Sequence, residues 1–508
     1  MGRVSHPPPP DFGPTSASHF DVVIVGAGIS GLGSAHHLLE QRPDTTFVLL
    51  ESQPGFGGTW RTHRYPGARS DSDLYTYGYR FKPWTGAPIA TREEIVGYLG
   101  AVVRDDGLDR FIRYEHTVTD AQWSSDEGRW TLRVRRGDGA ILTLTAGFLW
   151  MCQGYYRHDL GYTPEWPGRE RFTGPVVHPQ NWPDDLDVAG RRVVVVGSGA
   201  TAATLIPALV PDCAHVTMLQ RSPTYFFIGQ NANELADTLR QLDIPAEWTH
   251  EIVRRKSIAD LELLNRFALE YPDLARAELL QPIRDIVGEE FDVDTHFTPR
   301  YQPWRQRIAL VPNGDLFHAI REGRVSVVTD EIESFTDTGF ALRSGAPLDA
   351  DVIVTATGFT MNVLGDIAFR VDDVALDFAS CVTYRGLMFT GVPNLVEVFG
   401  YFRASWTLRV DLIGDFVCGL LRHMSERGAT TVTPTLRVGD EGMTRIPWID
   451  PEEFNPGYLR RALALLPSQG DRDPWRHAVS YEIERTTLPK VDWDDGSLIF
   501  GTTASERR

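Results

Sequence analysis

Two short apolar runs, each ending in a glycine-rich turn, constrain this chain more than any other feature. Asp21-Val22-Val23-Ile24-Val25 leads into Gly26-x-Gly28-x-x-Gly31, and far downstream Arg192-Val193-Val194-Val195-Val196 leads into Gly197-Ser198-Gly199-Ala200-Thr201-Ala202. Apolar runs without polar alternation fit strands buried on both faces. In such a turn the first glycine permits the tight bend, the second lets the backbone approach a diphosphate, and the third lets helix and strand pack closely. A helix predicted over Ile29 to Gln41 then aims free N–H groups and its positive dipole end at that diphosphate. A second run, Phe47-Val48-Leu49-Leu50, ends in Glu51, whose carboxylate can accept hydrogen bonds from an adenosine ribose. The fold class expected is therefore α/β, with two Rossmann-like dinucleotide-binding domains.

The second unit differs from the first in an informative way. Alanine (Ala202) takes the third glycine position, and His215-Val216-Thr217-Met218-Leu219 ends in Gln220-Arg221-Ser222 rather than in an acid. An acid there would repel a 2′-phosphate, whereas Arg221 can pair with it bidentately. NADPH is expected over NADH.

At 508 residues the chain is too long for one hydrophobic core. The expected division is a disordered Pro-rich tail (1–19), the first part of one dinucleotide domain (20–160), the second domain (161–345) and the remainder of the first (346–508). A hairpin-rich segment is predicted over Ala121 to Leu149, turning at Gly137-Asp138-Gly139. Leu, Glu, Arg and Ala at helical spacing predict a helical insertion at about 231–290, and Asp351-Val352-Ile353-Val354-Thr355 reads as a further strand.

Composition excludes several functions. A net charge of −18 opposes non-specific nucleic-acid binding, which needs a basic surplus. Cys152, Cys213, Cys381 and Cys418 lack CxxC or metal-ligand spacing, so neither a disulfide framework nor a metal site is expected, and a flavin disulfide reductase lacks its paired thiols. No stretch offers 18 uninterrupted apolar residues: Leu408 to Met424 is broken by Arg409, Asp411, Asp415 and Arg422. The tail carries no signal-peptide pattern, and a cytoplasmic enzyme is expected.

Two dinucleotide sites leave a short menu of flavin-dependent reductases and monooxygenases. Phe172-x-Gly174-x-x-x-His178-x-x-x-Trp182-Pro183, just before the second unit, resembles the signature of type I Baeyer–Villiger monooxygenases. The resemblance continues through Gly57-Gly58-Thr59-Trp60, Arg64-Tyr65-Pro66-Gly67-Ala68-Arg69-Ser70-Asp71 and Val311-Pro312-Asn313-Gly314-Asp315-Leu316-Phe317. Length and Ser405-Trp406-Thr407-Leu408 resemble the ethionamide-activating subgroup, whose members oxidise ketones and the sulfur of thioamides.

That resemblance implies FAD at the first site, contacted by the Gly26 to Gly31 loop, Ser30, Glu51, Thr59, Trp60 and Asp71. It implies nicotinamide-dinucleotide contacts from Arg69, Ser70, Asp71, the loop from Gly197 through Ala203, Arg221 and Ser222. His178 is implied in conformational coupling. An active-site arginine over the flavin matches Arg307, with Asp71 as its carboxylate partner and Arg305 as the neighbouring competitor. A guanidinium stays protonated at neutral pH and can stabilise an oxyanion formed at a carbonyl. Phe402-Arg403 stands where relatives carry Thr-Asn, so Arg403 either recognises an acidic or polar substrate, points to solvent or pairs with Asp411. The implied activity uses FAD, NADPH and O₂ to insert one oxygen atom beside a ketone carbonyl, giving an ester or lactone. Oxygenation of sulfur or nitrogen is the alternative, and a non-oxygenating FAD/NADP redox protein a further one.

Overall fold

The computed structural model describes residues 18–502. Most of the expected tail, residues 1–17, lies outside the described residues. Ser18 and His19 already belong to the first strand, where they pair with Leu144 and Thr145, so order begins before Phe20. His19 Nδ1 is 3.0 Å from Thr145 Oγ1, which supplies the side-chain reason.

The chain begins with β1 (Ser18–Val25), α1 (Ile29–Gln41) and β2 (Phe47–Leu50), followed by β3 (Ile112–Arg113), β4 (His116–Ser124), β5 (Arg129–Arg136) and β6 (Ile141–Met151). The second unit runs through β7 (Val176–Val177), β8 (Arg192–Val196), α2 (Ala200–Leu209) and β9 (His215–Gln220). Helices α3 (Glu234–Gln241), α4 (Ala246–Glu270) and α5 (Pro272–Val287) follow, then β10 (Val325–Thr329) and β11 (Val352–Thr355). The chain ends with β12 (Ala368–Val371), β13 (Val374–Ala375), β14 (Leu395–Glu397), α6 (Trp406–Arg427) and α7 (Tyr481–Thr487).

One sheet has nine strands in the order β13-β12-β4-β5-β6-β1-β2-β3, with β14 pairing the C-terminal end of β6. β1 is parallel to both β2 and β6, and β4, β5 and β6 form an antiparallel meander. Residues of β1 and β2 are buried on both faces, as their unbroken apolar runs require. A second sheet, of five strands, is parallel throughout, in the order β10-β9-β8-β11-β7. The chain therefore leaves the first sheet after Met151, builds the second, and returns at Ala368. β11 lies beside β8 inside the second sheet, so the return comes later than the expected boundary at 346.

The helices between β9 and β10 do not stand apart. Arg254 of α4, almost fully buried, donates to the carbonyls of Tyr75 (3.0 Å), Thr76 (3.1 Å) and Gly78 (2.8 Å). Burying a guanidinium is tolerable only when its donors are satisfied in this way. The insertion is thereby fastened to the first unit. None of the described helices is long and apolar enough to cross a membrane.

Candidate active site

The C-terminal ends of β1 and β8 open into one cavity of about 790 Å³, the position where parallel sheets bind dinucleotides. Both turns need glycine for a steric reason. Gly26 has φ +104°, and a Cβ there would lie 2.5 Å from the Cys152 carbonyl oxygen; Gly197 has φ +131°, and its Cβ would lie 2.3 Å from that of Ala356. Gly31 does not line the cavity but lets α1 close on the turn, since its Cβ would fall 1.9 Å from the Gly26 carbonyl oxygen.

Gly26, Gly28, Ser30, Glu51, Thr59 and Trp60 line the cavity from the first unit. The Glu51 carboxylate accepts from the backbone N–H of Ala27 (2.7 Å) and of Gln53 (2.8 Å). It therefore holds the glycine turn itself, and burial raises its pKa despite those bonds. Ser30 Oγ accepts from Trp406 Nε1 (2.8 Å), Thr59 Oγ1 from the Tyr156 hydroxyl (2.6 Å), and the Tyr77 hydroxyl from Trp60 Nε1 (2.9 Å). A narrow cradle of backbone, bounded by a buried acid and aromatic walls, suits an extended dinucleotide. The residues present fit FAD.

From the second unit, Gly199, Ala200 and Thr201 line the same cavity. A Cβ on Gly199 would meet nothing within 4 Å, so this stretch of backbone is open to close approach. Ala202 and Ala203 are buried in the core beneath α2. Ser198 turns inward, bonding the Ser222 carbonyl (3.2 Å) and Thr224 Oγ1 (2.9 Å). Arg221 and Ser222 lie exposed just past β9, off the cavity wall, where a 2′-phosphate would emerge from a dinucleotide laid across α2. These residues fit NADPH.

The third wall joins distant segments. Arg69, Ser70 and Asp71 line the cavity together with Arg307. Arg307 donates through Nε to Asp71 Oδ2 (2.5 Å), through Nη2 to Asp71 Oδ1 (2.6 Å) and also to Ser72 Oγ (3.2 Å). Its side chain is 42% exposed, but to the cavity, with Tyr77, Tyr155 and Tyr458 also on the wall. Burial within the protein opposes its charge, yet Asp71 outweighs that and raises its pKa above the ordinary arginine value. Burial raises the pKa of all three tyrosines, which stay neutral.

Other expectations are redirected. Both Nη groups of Arg69 engage Asp315 (2.6 and 3.1 Å), so its charge is met within the protein. Ser70 is buried, donating to the Ser72 carbonyl (2.7 Å). Arg305 does not line the cavity and has no part in the Asp71 pair. Arg403 does not pair with Asp411, which instead meets His37 (3.4 Å) and Arg254 (3.4 Å), nor does it face solvent freely. Its guanidinium binds the carbonyls of Trp304 and Glu453, away from the cavity wall.

Within the Phe172–Pro183 segment, Phe172 is buried against Phe335, and a Cβ on Gly174 would lie 2.7 Å from the Asp351 carbonyl oxygen. His178 Nδ1 accepts from the Gln180 N–H (3.2 Å), so the proton sits on Nε2, which donates to the Gly358 carbonyl (3.1 Å). Trp182 packs, partly buried, on the core of the second unit. Pro183 accepts from the Leu186 N–H (3.4 Å). His178 borders a small pocket beside the main cavity. The segment thus ties the chain around β7 to the turn after β11.

Sequence reasoning missed Ser72, Tyr77, Tyr155 and Tyr458. Ser72 follows a quoted motif directly and was within reach. The tyrosines carry no local signal, because each enters the wall from a different part of the chain. His63 was also missed: it is buried on the cavity wall, its pKa lowered to about 3 by burial and by His158 and His178.

Residues 24–84 match the model of an NAD(P)-binding Rossmann-like domain. The chain is 46% identical over 484 residues to the FAD-containing monooxygenase EthA of Mycolicibacterium smegmatis, covering 95% of this chain and 97% of that one. It is 40% identical over 484 residues to the probable FAD-binding monooxygenase AlmA of Acinetobacter baylyi, covering 95% and 96%. Among solved structures, an oxidised steroid monooxygenase bound to NADP superposes with a TM-score of 0.77 at 25% identity, over 96% of this chain and 100% of that chain. An open form of cyclohexanone monooxygenase shares the fold, with a TM-score of 0.75 at 20% identity over 96% and 100%.

Proposed function

This chain belongs to the FAD-containing monooxygenases, enzymes of FAD and NADPH, and from that premise we propose that it inserts one oxygen atom beside a ketone carbonyl, yielding an ester or lactone. The observation that carries this reading is the bidentate Arg307–Asp71 pair, set in the cavity between the two glycine turns. FAD, when bound and reduced by NADPH, would supply the redox chemistry that activates O₂ for transfer of one oxygen atom to the substrate. The remaining steps belong to the chain's own residues.

Arg307 holds a permanent positive charge at the cavity wall. Asp71 fixes the plane of the guanidinium through two parallel bonds, so no reorganisation is needed when charge develops. The Arg307 donors not taken by Asp71 and Ser72 serve the oxyanion formed as the carbonyl carbon is attacked. Tyr77, Tyr155, Trp406 and Tyr458 line the same space with aromatic side chains and restrict water. The turns from Gly26 and Gly199 would hold the two diphosphates, and Arg221 would read the 2′-phosphate.

The test is anaerobic reduction of the FAD-loaded protein by NADPH, followed by mixing with O₂ and a ketone while product mass is read. The expected product is heavier than the ketone by one oxygen atom. Arg307→Ala is expected to keep flavin reduction but lose oxygenated product by roughly a hundredfold or more. Full product from that variant overturns the assignment. Oxygenated sulfide, with no ester from any ketone, moves the activity to sulfur; hydrogen peroxide alone, across ketones, sulfides and amines, removes the monooxygenation reading.

A further inference from the structure

The residues just ahead of Arg307 hold a conformation the chain would not adopt unaided. Trp304 has φ +64°, in the left-handed region that bulky aromatic residues avoid. Such strain persists only when the surroundings impose it. Within the loop, the Arg305 N–H to Gln302 carbonyl bond (3.2 Å) closes the turn that contains Trp304; the remaining contacts come from outside it. Arg403 Nε donates to the Trp304 carbonyl (3.3 Å), and its Nη2 donates to the carbonyl of Glu453 (2.5 Å). Close by, the N–H of Asn455 donates to the Arg305 carbonyl (2.9 Å), and Asn455 Oδ1 accepts from Gln306 Nε2 (3.3 Å). The carbonyl of Arg403 itself accepts from Asn265 Nδ2 of α4 (3.1 Å).

We propose that Arg403 is a positioning residue: it clamps Trp304 in its left-handed conformation and so sets Arg307 against Asp71. The inference rests on the role of Arg307 given above. A rigid planar fork suits the task, because it spans two separate main-chain carbonyls at once; a lysine ammonium is a single point, and an asparagine is too short. Were Trp304 to relax to negative φ, the chain beyond it would change direction. The two bonds from Arg307 to Asp71, at 2.5 and 2.6 Å, would be lost once the guanidinium moved by about 1 Å or more.

The experiment compares Arg403→Met, Arg403→Lys, Arg307→Ala and the double variant Arg403→Met/Arg307→Ala as FAD-loaded full-length proteins. Two quantities are read: product formed per NADPH consumed, with cyclohexanone and thioanisole as probes, and amide hydrogen exchange of the peptide spanning 300–308. Arg403→Met is expected to lower product per NADPH about tenfold or more, the missing electrons appearing as hydrogen peroxide, and to speed exchange in that peptide. Arg403→Lys should fall between it and the parent. The double variant should be no worse than Arg307→Ala, because both lesions act on one guanidinium. Unchanged exchange in both Arg403 variants overturns the proposal, and exchange decides even where neither probe turns over. So does a double variant whose losses multiply. Full product from Arg307→Ala instead overturns the underlying reading, a separate result from the same set.

Discussion

Arg221 stands immediately after β9, exposed and with no acid at the end of that strand. Charge-assisted bonds to a phosphate contribute about 1.5–3 kcal/mol each. Arg221→Ala is therefore expected to raise KM for NADPH by roughly 10- to 100-fold and to leave KM for NADH nearly unchanged, as steady-state assays with both cofactors would measure. Equal losses for the two cofactors would remove the phosphate-reading role. Arg69 makes the opposite point. Its residue type suits an anionic ligand equally well, but Asp315 reaches it across the fold and takes both of its Nη groups. Asp71 fixes Arg307 through two bonds, and Glu51 fixes the Gly26 turn through one, to the Ala27 N–H, while its other oxygen holds Gln53. Such residues shape the site before any ligand enters.

At the level of elements, α1 and α6 pack against each other around buried charge. His37 of α1 lies 3.4 Å from Asp411 and 3.5 Å from Asp415, both on α6, and Asp411 also meets Arg254 of α4. Burial opposes a charge on His37, yet the hydrogen bonds and charges of Asp411 and Asp415 outweigh it and raise its pKa from 6.5 to about 9. A pKa raised by folding stabilises the protonated folded state. That contribution is fully present below pH 6.5 and is lost as pH rises through about 9. Thermal unfolding from neutral to alkaline pH should show this decline, and His37→Gln should be less stable at neutral pH with a flatter dependence. An identical slope in that variant would exclude His37 as its source. The same helix explains two of the charges that interrupt the apolar stretch at Leu408 to Met424. Arg409 is fully buried and pairs with Glu484 of α7 through two bonds (2.8 and 2.9 Å), so Arg409, like the buried Asp411, is an internal fastener, while Arg422 is exposed. Replacing one member alone would strand the other in the interior.

For the whole molecule, the contact that matters most is between the two units. Gly67, with φ +75°, lies against α2, and a Cβ there would fall 2.5 Å from the Thr204 carbonyl oxygen and 2.6 Å from the Ala208 Cβ. The Tyr65 hydroxyl and Thr204 Oγ1 lie 3.2 Å apart beside it. Gly67→Ala is expected to destabilise the protein by about 1–3 kcal/mol. NADP⁺ binding should weaken roughly tenfold, about 1.4 kcal/mol, with FAD content unchanged. Calorimetry, NADP⁺ titration and flavin absorbance would measure the three; unaltered NADP⁺ affinity would show that the contact does not shape the site. While its resemblance to a known monooxygenase family supplied the flavin and the segment from Arg69 to Asp71, the sequence by itself determined the two strand–glycine–helix units and the Arg221 position that favours NADPH. Those features are local: a tight turn, a helix terminus and an apolar strand are written within a few neighbouring residues. The partnership of Arg307 with Asp71, 236 residues away, was implied by the family resemblance and is present as two hydrogen bonds, whereas those of Arg69 with Asp315 and of Arg403 with two main-chain carbonyls were decided only by the tertiary structure. A charge in a sequence has many possible partners, and which one lies within 3 Å depends on how the chain closes on itself.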